Sequence, residues 1–292
     1  MDPSHDILIL GCGYTGQRVA QSFLAGGSRV MATTRHPEGL RHLREAGAEV
    51  LTIEEVPKQI RPGMLVLHSI PYVDPASGVD VVNMLETATN RGCAPHRVVY
   101  LGTTGVYGEH PLVDETTPTG TFRPFDAEKM QARLVEEQRV LKGSWVQAGG
   151  SSLVLRPAAI YGPGRGVHLS IQKGTYTPGE NYISRIHVDD LATHAVAGLL
   201  STVTGAYPVA DELPCTTREI YEFCAQLLGL PMVSATTVGG PSGRISSNRR
   251  VDGSAIRRLL AIGLRYPTYR EGIPAAIAVE RRDVERAEAA QE

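Results

Sequence analysis

The sequence is poor in the features that would place it among several large classes of protein. It has four cysteines, Cys12, Cys93, Cys215 and Cys224, with no CxxC pair and no Cys/His ligand spacing. A disulfide framework and a cysteine-built metal site are thereby excluded, and the thiols read as reduced. Neither sign of charge dominates: 29 Lys and Arg against 31 Asp and Glu give a formal charge of −2, so the basic footprint of a nucleic-acid binder is missing. No apolar run approaches the length of a membrane span, and the first apolar strand begins within a few residues of Met1, too early for a signal peptide. The expectation is a cytoplasmic protein. Internal repeats and low-complexity stretches are absent too. What remains is an ordinary globular composition, 42% apolar and 21% charged over 292 residues, enough for one large α/β domain or one domain with a smaller lobe.

The informative stretch runs from Ile7 to Arg35. Ile7-Leu8-Ile9-Leu10 is the fully apolar run of a parallel strand covered on both faces, and Gly11-Cys12-Gly13-Tyr14-Thr15-Gly16 follows it directly. In that context Gly11 allows the tight turn, Gly13 lets a pyrophosphate approach the backbone, and Gly16 lets the next helix pack close to the sheet. Gln17 to Ala25 reads as a helix whose positive N-terminus faces the phosphates. A second strand, Arg29 to Thr33, ends in Thr34-Arg35-His36, with no acid before Glu38. A carboxylate there would hold the ribose 2′-hydroxyl of NAD, whereas an arginine pairs with the 2′-phosphate of NADP. The reading is NADP over NAD, with Arg35 as the phosphate clamp and Thr33 or Thr34 as hydroxyl partners. The plain alternative for Arg35 is a solvated loop charge.

Further strands are expected at 49–53, 64–68 and 98–101, separated by helical patterns such as the stripe Val81, Val82, Leu85 and Ala88. Strands alternating with helices imply a parallel sheet with right-handed crossovers. The fold expected is α/β, a Rossmann-type doubly wound parallel sheet with a small C-terminal substrate lobe. The dinucleotide-binding part covers residues 1–160 and the lobe 161–292, with a segment near 183–211 returning to the core. Ligands collect at the carboxyl ends of such strands, which brings Ser69 and Ile70 beside the cofactor. His68 reads as a strand-end residue rather than a catalyst. Thr216-Thr217-Arg218-Glu219 is a capping box opening a helix that stops near Gly229.

Beyond these patterns, five segments carry a resemblance to a known family. They are Thr103-Thr104-Gly105-Val106-Tyr107-Gly108, Val113-Asp114-Glu115-Thr116-Thr117-Pro118, the run from Leu155 to Arg165, Arg185-Ile186-His187-Val188-Asp189-Asp190-Leu191, and the run from Gly205 to Asp211. In that order they resemble the extended short-chain dehydrogenase/reductases of the NAD-dependent epimerase/dehydratase family, most closely its atypical subgroup. The resemblance implies a tyrosine and lysine in a YxxxK pair as general acid/base, and a Ser or Thr that orients the substrate oxygen. Thr103 takes the Ser/Thr place, beside Thr104, although a strand-end hydroxyl also serves a turn.

The YxxxK pair is where this chain departs from the family. Aligned forward from Pro118, Phe125 falls at the tyrosine and Lys129 at the lysine; aligned backward from Glu136-Glu137, Lys129 falls at the tyrosine and Arg133 at the lysine. Neither register supplies a phenol. Tyr107 and Tyr161 are the candidate replacements, with core packing as their alternative. Asp80 falls near the family's active-site Asn, where it is equally a helix N-cap. Asp189 or Asp190 is expected to cap the helix after His187, and Arg185 reads as structural. About two dozen residues separate Gly164 from His187, few for clasping a nucleotide sugar, and Ala159 offers no donor where some epimerases carry Asn. With Arg165, Lys173 and Arg185 nearby, the substrate expected is small, anionic or polyhydroxylated. The expected activity is hydride transfer at a carbon bearing a hydroxyl or carbonyl, in a monomer or homodimer without metal. The rival is a non-catalytic NADP sensor.

Overall fold

The computed structural model describes residues 5–70, 79–124, 126–231 and 248–289. Strands β1 (Ile7–Leu10), β2 (Val30–Thr33), β3 (Glu49–Leu51), β4 (Leu65–His68), β5 (Arg97–Leu101), β6 (Ser151–Pro157) and β7 (Gly205–Val209) form one parallel sheet. Their order is β7-β6-β5-β4-β1-β2-β3, so the chain winds outward from β1 to one edge and then resumes at β4 on its other side. The point of reversal lies between β1 and β4, the position at which open α/β sheets bind ligands.

The continuous apolar run of β1 has a direct cause. Ile7 and Ile9 enter the core shared with α1 (Gly16–Ala25) and α4 (Val188–Leu199), while Leu8 and Leu10 enter the core on the opposite face, under α2 (Val81–Asn90). All four side chains are fully buried, and each contributes about 1.5–3 kcal/mol by leaving water. Pro208 lies in β7, an edge strand, where a residue without an N–H is tolerated. Registers pair Leu10 with His68 and His68 with Tyr100, so the loops after β1, β4 and β5 emerge together at one end of the sheet.

Helix α3 (Ala127–Leu141) packs along β5 and β6. Beyond the sheet, α5 (Thr217–Leu228), the short helix Val167–Gln172 and α6 (Tyr269–Ala289) gather around a separate apolar cluster that includes Tyr161, Ile171, Ile220, Tyr221, Tyr269 and Ile273. The capping box of α5 is present in full: Glu219 N–H donates to Thr216 Oγ1 at 3.0 Å, and Thr216 N–H to Glu219 Oε2 at 2.6 Å. Gly229 ends the helix with φ 66°.

The cap of α4 differs from expectation. His187, not an aspartate, caps it, its Nδ1 accepting Asp189 N–H at 3.2 Å. Asp190 is buried and accepts the N–H groups of Arg265 (2.6 Å) and Tyr266 (3.0 Å), which fastens the approach to α6 onto α4. Asp189 instead pairs with Arg18 of α1 at 2.7 Å.

Candidate active site

The three glycines of the loop after β1 have different neighbours. Gly11 has φ 82°, and a Cβ on it would lie 2.8 Å from Ile70 Cγ1 and 2.9 Å from Ile70 N, so no other residue fits. A Cβ on Gly16 would lie 3.2 Å from both Gly11 O and Ile9 Cγ2, the close helix-to-strand approach. At Gly13 the nearest atom among the described residues would be 4.0 Å away. Two glycines thus serve the protein's own packing, and the third leaves its face free for a ligand. Thr33 holds the loop from β2, its Oγ1 accepting Gly11 N–H at 3.0 Å and its carbonyl accepting Cys12 N–H at 2.6 Å.

Helix α1 has no side-chain cap and no acid in its first turn, which leaves its positive end for an anion. Cys12 is sealed beneath the loop, and burial pushes its thiol up to about 12; only its backbone can meet a ligand. Thr15 is likewise buried. Tyr14 is tied outward, its hydroxyl donating to Pro163 O at 3.0 Å. This donor-rich cradle fits a dinucleotide diphosphate.

At the end of β2, the hydroxyl of Thr33 is engaged by Gly11, so Thr34 is the hydroxyl left near the surface; its oxygen accepts His36 N–H at 3.2 Å. Arg35 is exposed and forms no ion pair among the described residues. Ser69 continues the sheet, its N–H donating to Leu10 O at 2.8 Å, and Ile70 lies against Gly11. His68 is buried against Tyr100, with ring centroids 4.5 Å apart, and its Nε2 lies 3.1 Å from Glu136 Oε1.

The turn after β5 carries the Ser/Thr position. Thr103 is partly exposed and its Oγ1 accepts Gly105 N–H at 3.1 Å, which leaves the hydroxyl proton uncommitted. Thr104 is buried, and its carbonyl accepts Arg249 Nη1 at 2.8 Å. Arg249 also donates to the Gly108 carbonyl, so one buried guanidinium braces the whole turn from 141 residues downstream. Nothing in the local sequence marks that role.

Helix α3 closes the other side. Met130 Sδ lies 2.7 Å from where a Cβ on Gly105 would be, and Glu137 Oε1 lies 2.5 Å from one on Gly102. Glu137 is fully buried and accepts Arg156 Nε (2.9 Å) and Nη2 (2.7 Å). Arg133 is half-buried one turn earlier; its Nε is buried with no protein partner among the described residues, and its charge acts on Tyr100 and Glu137. Lys129 is exposed. Phe125 lies outside the described residues.

Three of the expected site residues do other work. Tyr107 has no exposed surface, so its hydroxyl, which accepts Arg156 Nη1 at 3.1 Å, does not reach a substrate in this arrangement. Tyr161 is buried between His187 and α6, its hydroxyl donating to Thr268 O at 3.4 Å, and burial raises its pKa far above the ordinary phenol range. Asp80 is the N-cap of α2, accepting Asn83 N–H at 2.9 Å, and both of its oxygens take Arg139 Nη2 at 3.0 Å. Arg165 is exposed, with its guanidinium 5.6 Å from the Tyr14 ring centroid. Arg185 is buried and donates to Ile183 O and Cys215 Sγ, both at 3.1 Å. Among the described residues no group of His, Cys, Asp and Glu could hold a metal ion, and no helix is long and apolar enough to cross a membrane.

Comparison with known proteins matches residues 76–206 to the NAD dependent epimerase/dehydratase family. A short-chain dehydrogenase/reductase, family 42E member 1, from Danio rerio is 27% identical over 262 residues, covering 75% of this chain and 66% of that protein. A solved structure of a functionally unknown conserved protein from Silicibacter pomeroyi DSS is 31% identical, covers 94% of this chain and 99% of that one, and has a TM-score of 0.74. MoeE5, solved in complex with UDP-glucose and NAD, is 19% identical, covers 96% and 99% of the two chains, and shares the fold with a TM-score of 0.75.

Proposed function

We propose, for a chain that belongs to the NAD-dependent epimerase/dehydratase family of extended short-chain dehydrogenase/reductases, the activity of an NADP-dependent oxidoreductase or epimerase-like enzyme on a small hydroxyl- or carbonyl-bearing substrate. One observation carries the reading: an open Gly13 face after β1 and, after the neighbouring β2, an exposed Arg35 with no ion pair among the described residues and no carboxylate before Glu38 to select NAD. Arg35 would hold the 2′-phosphate by charge-assisted hydrogen bonds, with Thr34 beside it. Ser69 and Ile70 would border the same nucleotide. When bound, the nicotinamide supplies or accepts the hydride.

The chain's own residues orient the substrate and move the proton. Thr103 would orient the substrate oxygen by a hydrogen bond from its hydroxyl, without giving up the proton. Arg133 faces inward and stays protonated, so it can grip a ribose hydroxyl but cannot exchange a proton; Lys129, one turn earlier at the exposed lip, is the acid/base of the pair. That assignment takes the register aligned backward from Glu136-Glu137. Lys129 and Lys173 favour an anionic or polyhydroxylated substrate. A second reading, a non-catalytic NADP sensor, is favoured by the burial of both Tyr107 and Tyr161.

Titration of NADPH and NADH against the wild-type protein and Arg35→Ala tests the cofactor. A clear NADPH preference is expected, and the variant should lose about tenfold or more of it, the worth of a charged hydrogen bond. Equal affinities in both proteins would discard the assignment. NADPH oxidation with a panel of aldehydes, ketones and sugars separates the two readings, since tight binding without turnover favours the sensor.

A further inference from the structure

We propose that Arg165, on the far side of the cleft, is a clamp for the dinucleotide diphosphate rather than a substrate ligand; the inference rests on the NADP-binding reading above. Residues Gly162 to Arg165 form a closed turn, with Gly162 N–H donating to Arg165 O at 2.7 Å and Arg165 N–H to Gly162 O at 3.0 Å. The turn is pinned from two sides. Tyr14 of the glycine loop donates its hydroxyl to Pro163 O, and a Cβ on Gly162 would lie only 2.7 Å from that hydroxyl. From the other side, Glu280 of α6 accepts Gly164 N–H at 2.7 Å while its two oxygens lie 3.1 Å from Nε2 of the buried His168.

Two guanidinium groups flank the Tyr14 ring, and they differ in what they leave free. Arg18, 4.6 Å from the ring centroid, is occupied by Asp189 and by Tyr14 O at 2.8 Å. Arg165 is exposed and has no ion-pair partner among the described residues. It is held over the ring of Tyr14, a residue of the glycine loop, with its N–H donors uncommitted among the described residues. A diphosphate carries two negative charges, and a helix N-terminus offers only about half of one positive charge; a planar guanidinium over the same loop supplies the rest in the bidentate geometry phosphates accept. Position separates this role from substrate recognition. Tyr14 belongs to the β1 loop, whereas Thr103 follows β5, two strands across the sheet and therefore about 10 Å away.

The test compares wild type, Arg165→Ala and Arg165→Lys by fluorescence titration with NADPH, and by competition with adenosine 2′-phosphate, which has the 2′-phosphate but no diphosphate. Arg165→Ala should weaken NADPH by about tenfold or more, Arg165→Lys should recover part of that, and adenosine 2′-phosphate should bind all three alike. The thermal midpoint should not move, because the side chain is exposed. NADPH affinity within about twofold of wild type in Arg165→Ala, or an equal loss toward adenosine 2′-phosphate, would overturn the clamp alone. A wild-type protein without saturable NADPH binding would instead bring down the cofactor reading itself.

Discussion

Asp211, just past the end of β7, couples the stability of the fold to pH. It is 2% exposed, and burial pushes its pKa up to about 8 against the weaker pull of Arg185 and the Leu213 N–H. Unfolded, it titrates near about 4. The folded chain therefore holds the proton more tightly, so its contribution is complete below the unfolded value and is lost as pH rises toward 8, at about 1.4 kcal/mol per pH unit. His187 and His194 act in the opposite sense. Burial lowers both to about 4, so their contribution is present above about 6.5 and is lost as the solution is made more acid. Between pH 6.5 and 8 Asp211 should by itself remove about 2 kcal/mol, while the two histidines, half protonated at pH 6.5 in the unfolded chain, return part of it. Asp211→Asn keeps the shape without the titration. Urea or thermal unfolding of both proteins from pH 6 to 8.5 should show the variant gaining on wild type at each step. A constant difference across that range would refute the assignment of a neutral, buried carboxyl.

Three further predictions concern the glycine loop and helix α3. Gly13→Ala should leave the thermal midpoint unchanged, since a Cβ there meets no atom of the described residues closer than 4.0 Å, yet abolish NADPH binding by filling the open face; Gly11→Ala should lose more than about 1 kcal/mol of stability, because φ is 82° and Ile70 is in the way. Calorimetry and nucleotide titration on the same samples separate the two effects, and a stable Gly13→Ala that still binds would contradict the cradle. Glu137→Gln should cost about 3–5 kcal/mol in urea unfolding, because it strands the Arg156 guanidinium in the core. A loss below about 1 kcal/mol would mean the pair does not hold α3 to the sheet.

What could be read in the sequence is what neighbouring residues decide. The apolar run of β1 and the glycine spacing after it announced the strand, turn and helix because each property is local, and the capping box at Thr216 and Glu219 was legible for the same reason. Contacts across the fold were not. Asp189 and Asp190 are better caps by type than His187, but one is taken by Arg18 from α1 and the other by the backbone before α6, so the histidine caps the helix. Arg249 braces the Thr103 turn from another part of the chain, and the buried hydroxyl of Tyr107 meets Arg156, a partner 49 residues away. Helix α3 shows the limit most sharply. Lys129 and Arg133 are four residues apart, so shifting the alignment by one helical turn moves the lysine position from Lys129 to Arg133 without changing the amphipathic pattern. Only tertiary contact breaks that symmetry: Glu137 against Gly102 and Met130 against Gly105 fix which side of α3 meets the sheet, leaving Arg133 half-buried and Lys129 at the surface. Of the two, the permanently charged group is the half-buried one, and the group able to exchange a proton stands at the surface.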